Sequence, residues 1–181
     1  MNAARRTWGG VWLAVRSLTW AILLPGGIAG YVPWRFFGLD RARIDLFRPT
    51  HAVGLLCVAL GVVLLAMCIV EFARSGRGTL SPVDPPRRLV VRGLYRYVRN
   101  PMYLAVTTIV LGETLLTSFP ALAAYWGLWF LGVNLFVLGY EEPTLRARFG
   151  AEYAEYTRRV GRWIPALHPA PRRDPHVAEQ P

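Results

Sequence analysis

Arg99-Asn100-Pro101-Met102-Tyr103 and Tyr140-Glu141-Glu142-Pro143 bracket two apolar stretches that turn near Ser118-Phe119-Pro120. Residues 101–117 and 120–140 read as the arms of a helical hairpin, and antiparallel helices joined by a short loop return their outer ends to one side. The first arm opens on proline, which a helix tolerates there because the first-turn amide has no partner within the helix. Residues 93–103 lead into the hairpin, and Tyr140 to Pro143 leave it. Arginines, a carboxamide, two carboxylates and several aromatic rings are therefore expected around one spot, at one side of a bilayer. Such a set suits a zwitterionic, cationic ligand.

Composition leads to the membrane independently. The chain has 181 residues, 54% of them hydrophobic, with seven Trp, more apolar surface than one soluble core needs. Residues 52–70 carry no charge, close to the ~20 residues a helix needs to cross the hydrocarbon core. Residues 17–34 are also apolar but contain Pro25-Gly26-Gly27, which kinks or breaks a helix unless neighbours satisfy the freed backbone groups. The expected fold is all-α: a polytopic helical membrane protein with about four transmembrane helices, the first irregular, and a C-terminal amphipathic helix. A cleaved signal peptide is the rival for the N-terminus, opposed by the long charged lead, by Arg16 and by the lack of a clear cleavage site.

Basic residues near span ends are retained on the cytoplasmic side. Seven arginines lie between Arg74 and Arg99 and seven more between Arg146 and Arg173, so both segments are expected inside. Four spans would put both termini in the cytoplasm. Arg35, Arg41, Arg43 and Arg48 would then lie outside, against the rule unless residues 34–47 form an amphipathic interfacial segment.

The net charge of +10 comes entirely from arginine. These charges flank hydrophobic spans instead of forming one soluble patch, so anionic lipid heads explain them better than nucleic acid does. Cys57 and Cys68 form no Cys-x-x-Cys pair and read as buried free thiols. His51, His168 and His176 have no metal-ligand spacing, so no metal is expected. Serine-nucleophile, Walker and Gly-x-Gly-x-x-Gly motifs are absent. The oligomeric state is not legible.

Further pieces extend the pattern: Gly76-Arg77-Gly78-Thr79, Asp84-Pro85-Pro86, and Phe149-Gly150 followed by Tyr153, Tyr156 and Arg162-Trp163-Ile164-Pro165. With the two hairpin motifs, their order and spacing resemble the integral-membrane methyltransferases grouped with isoprenylcysteine carboxyl methyltransferase and phospholipid N-methyltransferase. The resemblance runs over residues 76–165. It implies a methyl transfer from S-adenosylmethionine to a lipid-like acceptor reached through the bilayer, with isoprenylcysteine carboxylates and phospholipid amines the known types. It also implies that Glu141-Glu142 corresponds to the double glutamate associated with cofactor binding. One membrane domain over 1–165, its catalytic core over 76–165, and a disordered tail over 166–181 follow as expectations. A membrane reductase of the steroid 5α-reductase kind, using NADPH, and a non-catalytic binding protein are the alternatives.

The chemistry matches the residues. Methyl transfer from a sulfonium is an in-line displacement, so a protein contributes chiefly by holding donor and acceptor in a near-attack arrangement. The donor's carboxylate wants guanidinium or amide, which Arg99 and Asn100 can supply. Its ammonium and ribose hydroxyls want carboxylates, supplied by Glu141 and Glu142. Its adenine and sulfonium want aromatic faces, offered by Tyr103 or Trp163. Gly76 and Gly78 are candidates for close backbone approach, and Pro101 completes the cofactor-binding set. Arg99, Asn100 and Tyr103 are the expected catalytic residues. The bland reading is that Arg99 and Glu142 are simply an ion pair at a span end.

Two departures from the family pattern stand out. Asn100 occupies a place where many relatives carry histidine, and Asn cannot titrate near neutral pH. Gly161 stands where relatives often have proline, which is expected to loosen the tail. Leu145, Phe149, Tyr153, Tyr156 and Val160 recur every three or four residues, so the segment after Pro143 reads as an amphipathic helix. Glu113 is the one carboxylate deep in a span. It is expected to be hydrogen-bonded in packing, with Tyr125 or Trp129 on the return arm, rather than to touch the cofactor.

Overall fold

The structure is a computed structural model that describes residue 19 and residues 23–39, 42–75 and 89–171. Among these residues it is helical, with no strand beyond one isolated bridge. Residues 23–26 are helical and continue into a π-helical turn, Gly27–Tyr31, and α1, Val32–Phe37. Among the described residues Pro25-Gly26-Gly27 does not break the helix, and a widened turn follows it directly. Gly38 ends the helix in a left-handed conformation. Over residues 34–47, where an amphipathic interfacial segment is expected, the α-helix ends at Phe37. Among its described residues the chain turns, and the Asp45 amide donates to Nδ1 of the buried His51.

α2, Pro49–Ser75, is followed after the next described residues by a 3-10 turn, Gly93–Arg96, and then by α3, Pro101–Thr117. Ser118 takes a left-handed conformation as the C-cap of α3, and α4, Pro120–Phe136, starts on proline. The hairpin thus turns at the expected place. A second π-helical turn, Val137–Glu141, joins α4 to α5, Glu142–Arg159, so one continuous helix carries the chain past Glu141 and Glu142. Inside α5, Gly150 sits at φ 47°, ψ −120°, a kink open to glycine.

Among the described residues two helices are long and apolar enough to cross a membrane: Pro49–Glu71, and the merged helix Pro120–Arg159, whose apolar run ends at Tyr140. Only 17% of each apolar window is buried within the chain, the reverse of a core helix in a soluble protein. α3 is apolar but shorter.

α2 and α3 run antiparallel at close range, because glycine faces glycine. A Cβ on Gly112 would lie 2.5 Å from the Gly54 carbonyl oxygen, and one on Gly61 would lie 2.8 Å from that of Ala105. Helix association in lipid relies on such small residues, since burying apolar surface gives no advantage there. A second cluster joins α1, α3 and α4: Ala29, Val106, Ile109, Val110 and Leu122, with Phe37, Trp126 and Trp129 packed on it.

Glu113 lies buried in α3, with Oε2 unbonded among the described residues. The expected partners are engaged elsewhere. Tyr125 donates its hydroxyl to the Ile28 carbonyl and Trp129 its Nε1–H to Thr107 Oγ1.

Candidate active site at the mouth of the hairpin

The two arms carry their polar motifs to one place. Arg99 Nη1 donates to Glu142 Oε1 at 2.9 Å, and Tyr103 Oη donates to Glu141 Oε2 at 3.2 Å. The first link precedes α3 and the second lies on its first turn, while both glutamates sit where the π turn passes into α5. Tyr103 and Glu141, 38 positions apart in sequence, and Arg99 and Glu142, 43 apart, are brought together by the matched lengths of the two arms.

A third strand of chain completes the site. After α5 the backbone returns beside the segment leading into α3, pairing Val98 with Gly161 in parallel, and the Arg99 amide donates to the Gly161 carbonyl at 2.9 Å. Arg162 then reaches Glu142 with two bonds, Nε to Oε1 at 2.6 Å and Nη2 to Oε2 at 3.0 Å. Arg146 approaches the same carboxylate at 3.7 Å from one turn further along α5. The fork matches the carboxylate plane, the geometry that makes arginine the preferred partner.

The two glutamates consequently live in different environments. Burial alone would raise the Glu142 carboxyl, but the Arg162 bond and the charges of Arg99, Arg162 and Arg146 overcome it and hold the group below its usual range. For Glu141, burial raises the carboxyl, the Tyr103 bond opposes, and neighbouring Glu142 adds to the rise. The Glu142 bond in turn raises Arg162.

Asn100 occupies the N-cap position of α3, where Asn ordinarily bonds the helix amides. It makes no such cap. Its buried side chain instead donates Nδ2–H to the Arg162 carbonyl at 3.3 Å, tying the returning loop to the mouth. Trp163 Nε1 donates to Asn134 Oδ1 at 2.9 Å, and its ring meets Phe130 at 5.6 Å between centroids. Pro101 is buried at the start of α3. Arg99 keeps a buried Nε–H with no acceptor among the described residues.

Sequence reasoning names Arg99, Asn100, Pro101, Tyr103, Glu141, Glu142 and Trp163; the fold brings the first six to one end of the hairpin and seats Trp163 further along it, on Asn134 and Phe130. Gly76 and Gly78 lie outside the described residues, as do Asp84-Pro85-Pro86 and residues 172–181. Three participants were not singled out. Arg162 was only part of a motif, although it is the principal partner of Glu142. Tyr153, whose hydroxyl receives Arg99 Nη1 at 3.5 Å, was taken as one position of an apolar stripe. Asn134, a lone carboxamide in an apolar arm, carried a signal of its own, since polar groups in spans seldom lack a partner.

Two expectations are corrected. A Cβ at Gly161 would collide with the Ile164 carbonyl oxygen, so glycine here tightens the return to Trp163 rather than loosening it. In the tail expected over 166–181, the described residues 166–171 are fastened to the mouth: the amides of Ala166 and Ala170 donate to the carbonyls of Tyr97 and Arg96, and Ala170 is buried with Val91, Tyr153, Tyr156 and Val160.

Residues 49–152, more than half of the chain, match the sequence model of a family described as phospholipid methyltransferase. Two rice proteins, each named probable protein-S-isoprenylcysteine O-methyltransferase, from Oryza sativa subsp. indica and subsp. japonica, are 28% identical over 116 residues. The match covers 64% of this chain and 61% of each relative, so the chain spans about three fifths of the length of these curated relatives. No solved structure matches.

Proposed function

We propose, since the chain belongs to the phospholipid methyltransferase family, that it transfers a methyl group from S-adenosylmethionine to a lipid-like acceptor at the cytoplasmic face of a membrane. The observation that carries this reading is the convergence of Arg99, Glu141, Tyr103 and the Arg162-Trp163 loop at one end of an apolar hairpin. S-Adenosylmethionine supplies a methyl group on a sulfonium, open to displacement by an acceptor lone pair.

The donor set fits that group. The buried, unbonded Arg99 Nε–H offers a site for a carboxylate. Three arginines against two glutamates leave the mouth one positive charge in excess, which also favours an anion. Glu141 would take the ammonium or ribose hydroxyls, and Tyr103 and Trp163 would offer aromatic faces. Glu142 serves differently. With both oxygens bonded by Arg162 it fixes Arg99 and the returning loop in place, and Asn100 does the same through the Arg162 carbonyl. Pro101 sets the start of α3, and Gly76 and Gly78 remain candidates for backbone approach to the cofactor.

Four crossings, from the irregular helix ending at Phe37 through α2, α3 and α4, would place both arginine-rich segments and both termini in the cytoplasm. α5 is then an amphipathic helix over the mouth, with Tyr153 and Tyr156 inward. The acceptor, an isoprenylcysteine carboxylate or a phospholipid amine, would arrive laterally from the bilayer.

Calorimetry on the full chain in detergent, with S-adenosylmethionine and NADPH in separate titrations, tests the reading. Binding of the first and not the second is expected. NADPH binding would favour a reductase, and binding of neither a non-catalytic protein. Transfer of a labelled methyl group to farnesylcysteine or to phosphatidylethanolamine then distinguishes the acceptors.

A further inference from the structure

The chain after α5 descends along the hairpin instead of leaving it. Trp163 is seated on Asn134 and Phe130 of α4. At ~1.5 Å per residue Asn134 lies roughly 10 Å along the helix from Glu141, within its apolar part. The following residues face outward, with Ile164 80% and Leu167 92% exposed. Their backbone is nevertheless fastened. The Ala166 amide donates to the Tyr97 carbonyl at 2.7 Å, the Ala170 amide to the Arg96 carbonyl at 2.9 Å, and Arg96 Nε to the Ala170 carbonyl at 2.6 Å.

A fastened loop that holds its two largest apolar side chains outward is stable where those side chains meet an apolar medium. Nearby, α4 and the π turn after it expose Leu128, Leu131, Leu135 and Leu138, one stripe at helical spacing. We propose that Ile164 and Leu167 form an apolar tip that inserts among bilayer acyl chains beside α4, making residues 162–167 a re-entrant segment at the acyl boundary.

Two observations favour lipid over a protein partner. The tip directly follows Trp163, which is seated on the helix that carries the exposed leucines. Arg158 and Arg159, both exposed, precede the tip in the last turn of α5, where anionic headgroups would meet them. Irregular backbone at membrane depth is tolerated only when its polar groups are satisfied by protein, and within the segment the Ala166 amide and the Arg162 carbonyl are bonded by protein. The inference rests on the membrane reading and does not depend on methyl transfer.

The test places nitroxides on the full chain in phosphatidylcholine and phosphatidylglycerol vesicles, at Ile164→Cys, Leu167→Cys, Leu131→Cys and Arg158→Cys, in a Cys57→Ala, Cys68→Ala background. Collision with oxygen, enriched in lipid, is compared with collision with a water-soluble nickel chelate. Oxygen should dominate several-fold at 164, 167 and 131, and the chelate at 158. Chelate access at 164 and 167 with oxygen still dominant at 131 would overturn the tip alone. Chelate access at 131 as well would overturn the tip together with the membrane reading. Exclusion of both reagents at 164 and 167 would overturn it in favour of a protein partner.

Discussion

Glu142 accepts from Arg99 and twice from Arg162 while nearly buried, whereas its neighbour Glu141 has the Tyr103 hydroxyl. Removing one member of a buried charge pair strands the others and costs about 3 to 5 kcal/mol. Glu142→Gln is therefore expected to lower unfolding free energy in mixed micelles by that order. Glu141→Gln should keep stability near neutral pH, since the amide oxygen still accepts from Tyr103, and should weaken S-adenosylmethionine binding by about 2 to 5 kcal/mol, measured by calorimetry. Equal loss of stability in both variants would show that the glutamates share one role. The pH dependences should also oppose each other. Glu142 is lowered in the folded chain, so its contribution is present above the ordinary carboxylate value and is lost as pH falls through the lower folded value. Glu141 is raised, so its contribution is present below the ordinary value and is lost as pH rises through the folded one. Acid titration of stability should thus flatten in Glu142→Gln, and the loss on rising pH should flatten in Glu141→Gln. At Asn100, the bond to the Arg162 carbonyl predicts that Asn100→Ala raises the cofactor Kd, while Asn100→His, which can still donate, is tolerated.

Among the elements, α2 and α3 are joined through Gly54, Gly61 and Gly112, where an added Cβ would meet backbone oxygen of the facing helix. Backbone cannot yield as a flexible side chain does, so these are the positions where added volume separates the helices. Gly112→Leu should cost at least the 1 to 3 kcal/mol typical of an overpacked core, whereas Gly132→Leu on α4, with open space around its Cα, should be nearly neutral. Thermal unfolding in detergent compares them; similar losses would count against the close crossing. The loop after α5 follows the same logic. Gly161→Ala forces a Cβ onto the Ile164 carbonyl, which should displace Trp163 and shift its fluorescence, a change best read against Trp163→Phe.

Across the whole molecule, the described helices alternate in direction, which with the arginine clusters predicts which loops face which compartment. In a cysteine-free background, an impermeant thiol reagent outside intact cells should label Leu46→Cys and leave Arg158→Cys unlabelled; the reverse pattern would invert the topology. Helical class, the hairpin, its turn at Ser118 and the meeting of its two polar motifs were legible in the sequence, because apolar run length and proline placement are local properties that a helix converts directly into distance; the parts played by Arg162, Tyr153 and Asn134 were not. The close crossing of α2 and α3 was not, since a glycine in a span shows its purpose only when its neighbour across the interface is known. Nor could the sequence separate Glu141 from Glu142: two identical adjacent carboxylates differ solely in what other segments bring to them. The path of residues 160–170 likewise depended on partners more than 60 positions away, the carbonyls of Tyr97 and Arg96 among them. Apolar patterning by itself determined a helical hairpin with a polar mouth. Which carboxylate is locked in place was decided by tertiary structure, because only folding brings Arg99 and Arg162 onto Glu142 and the Tyr103 hydroxyl onto Glu141.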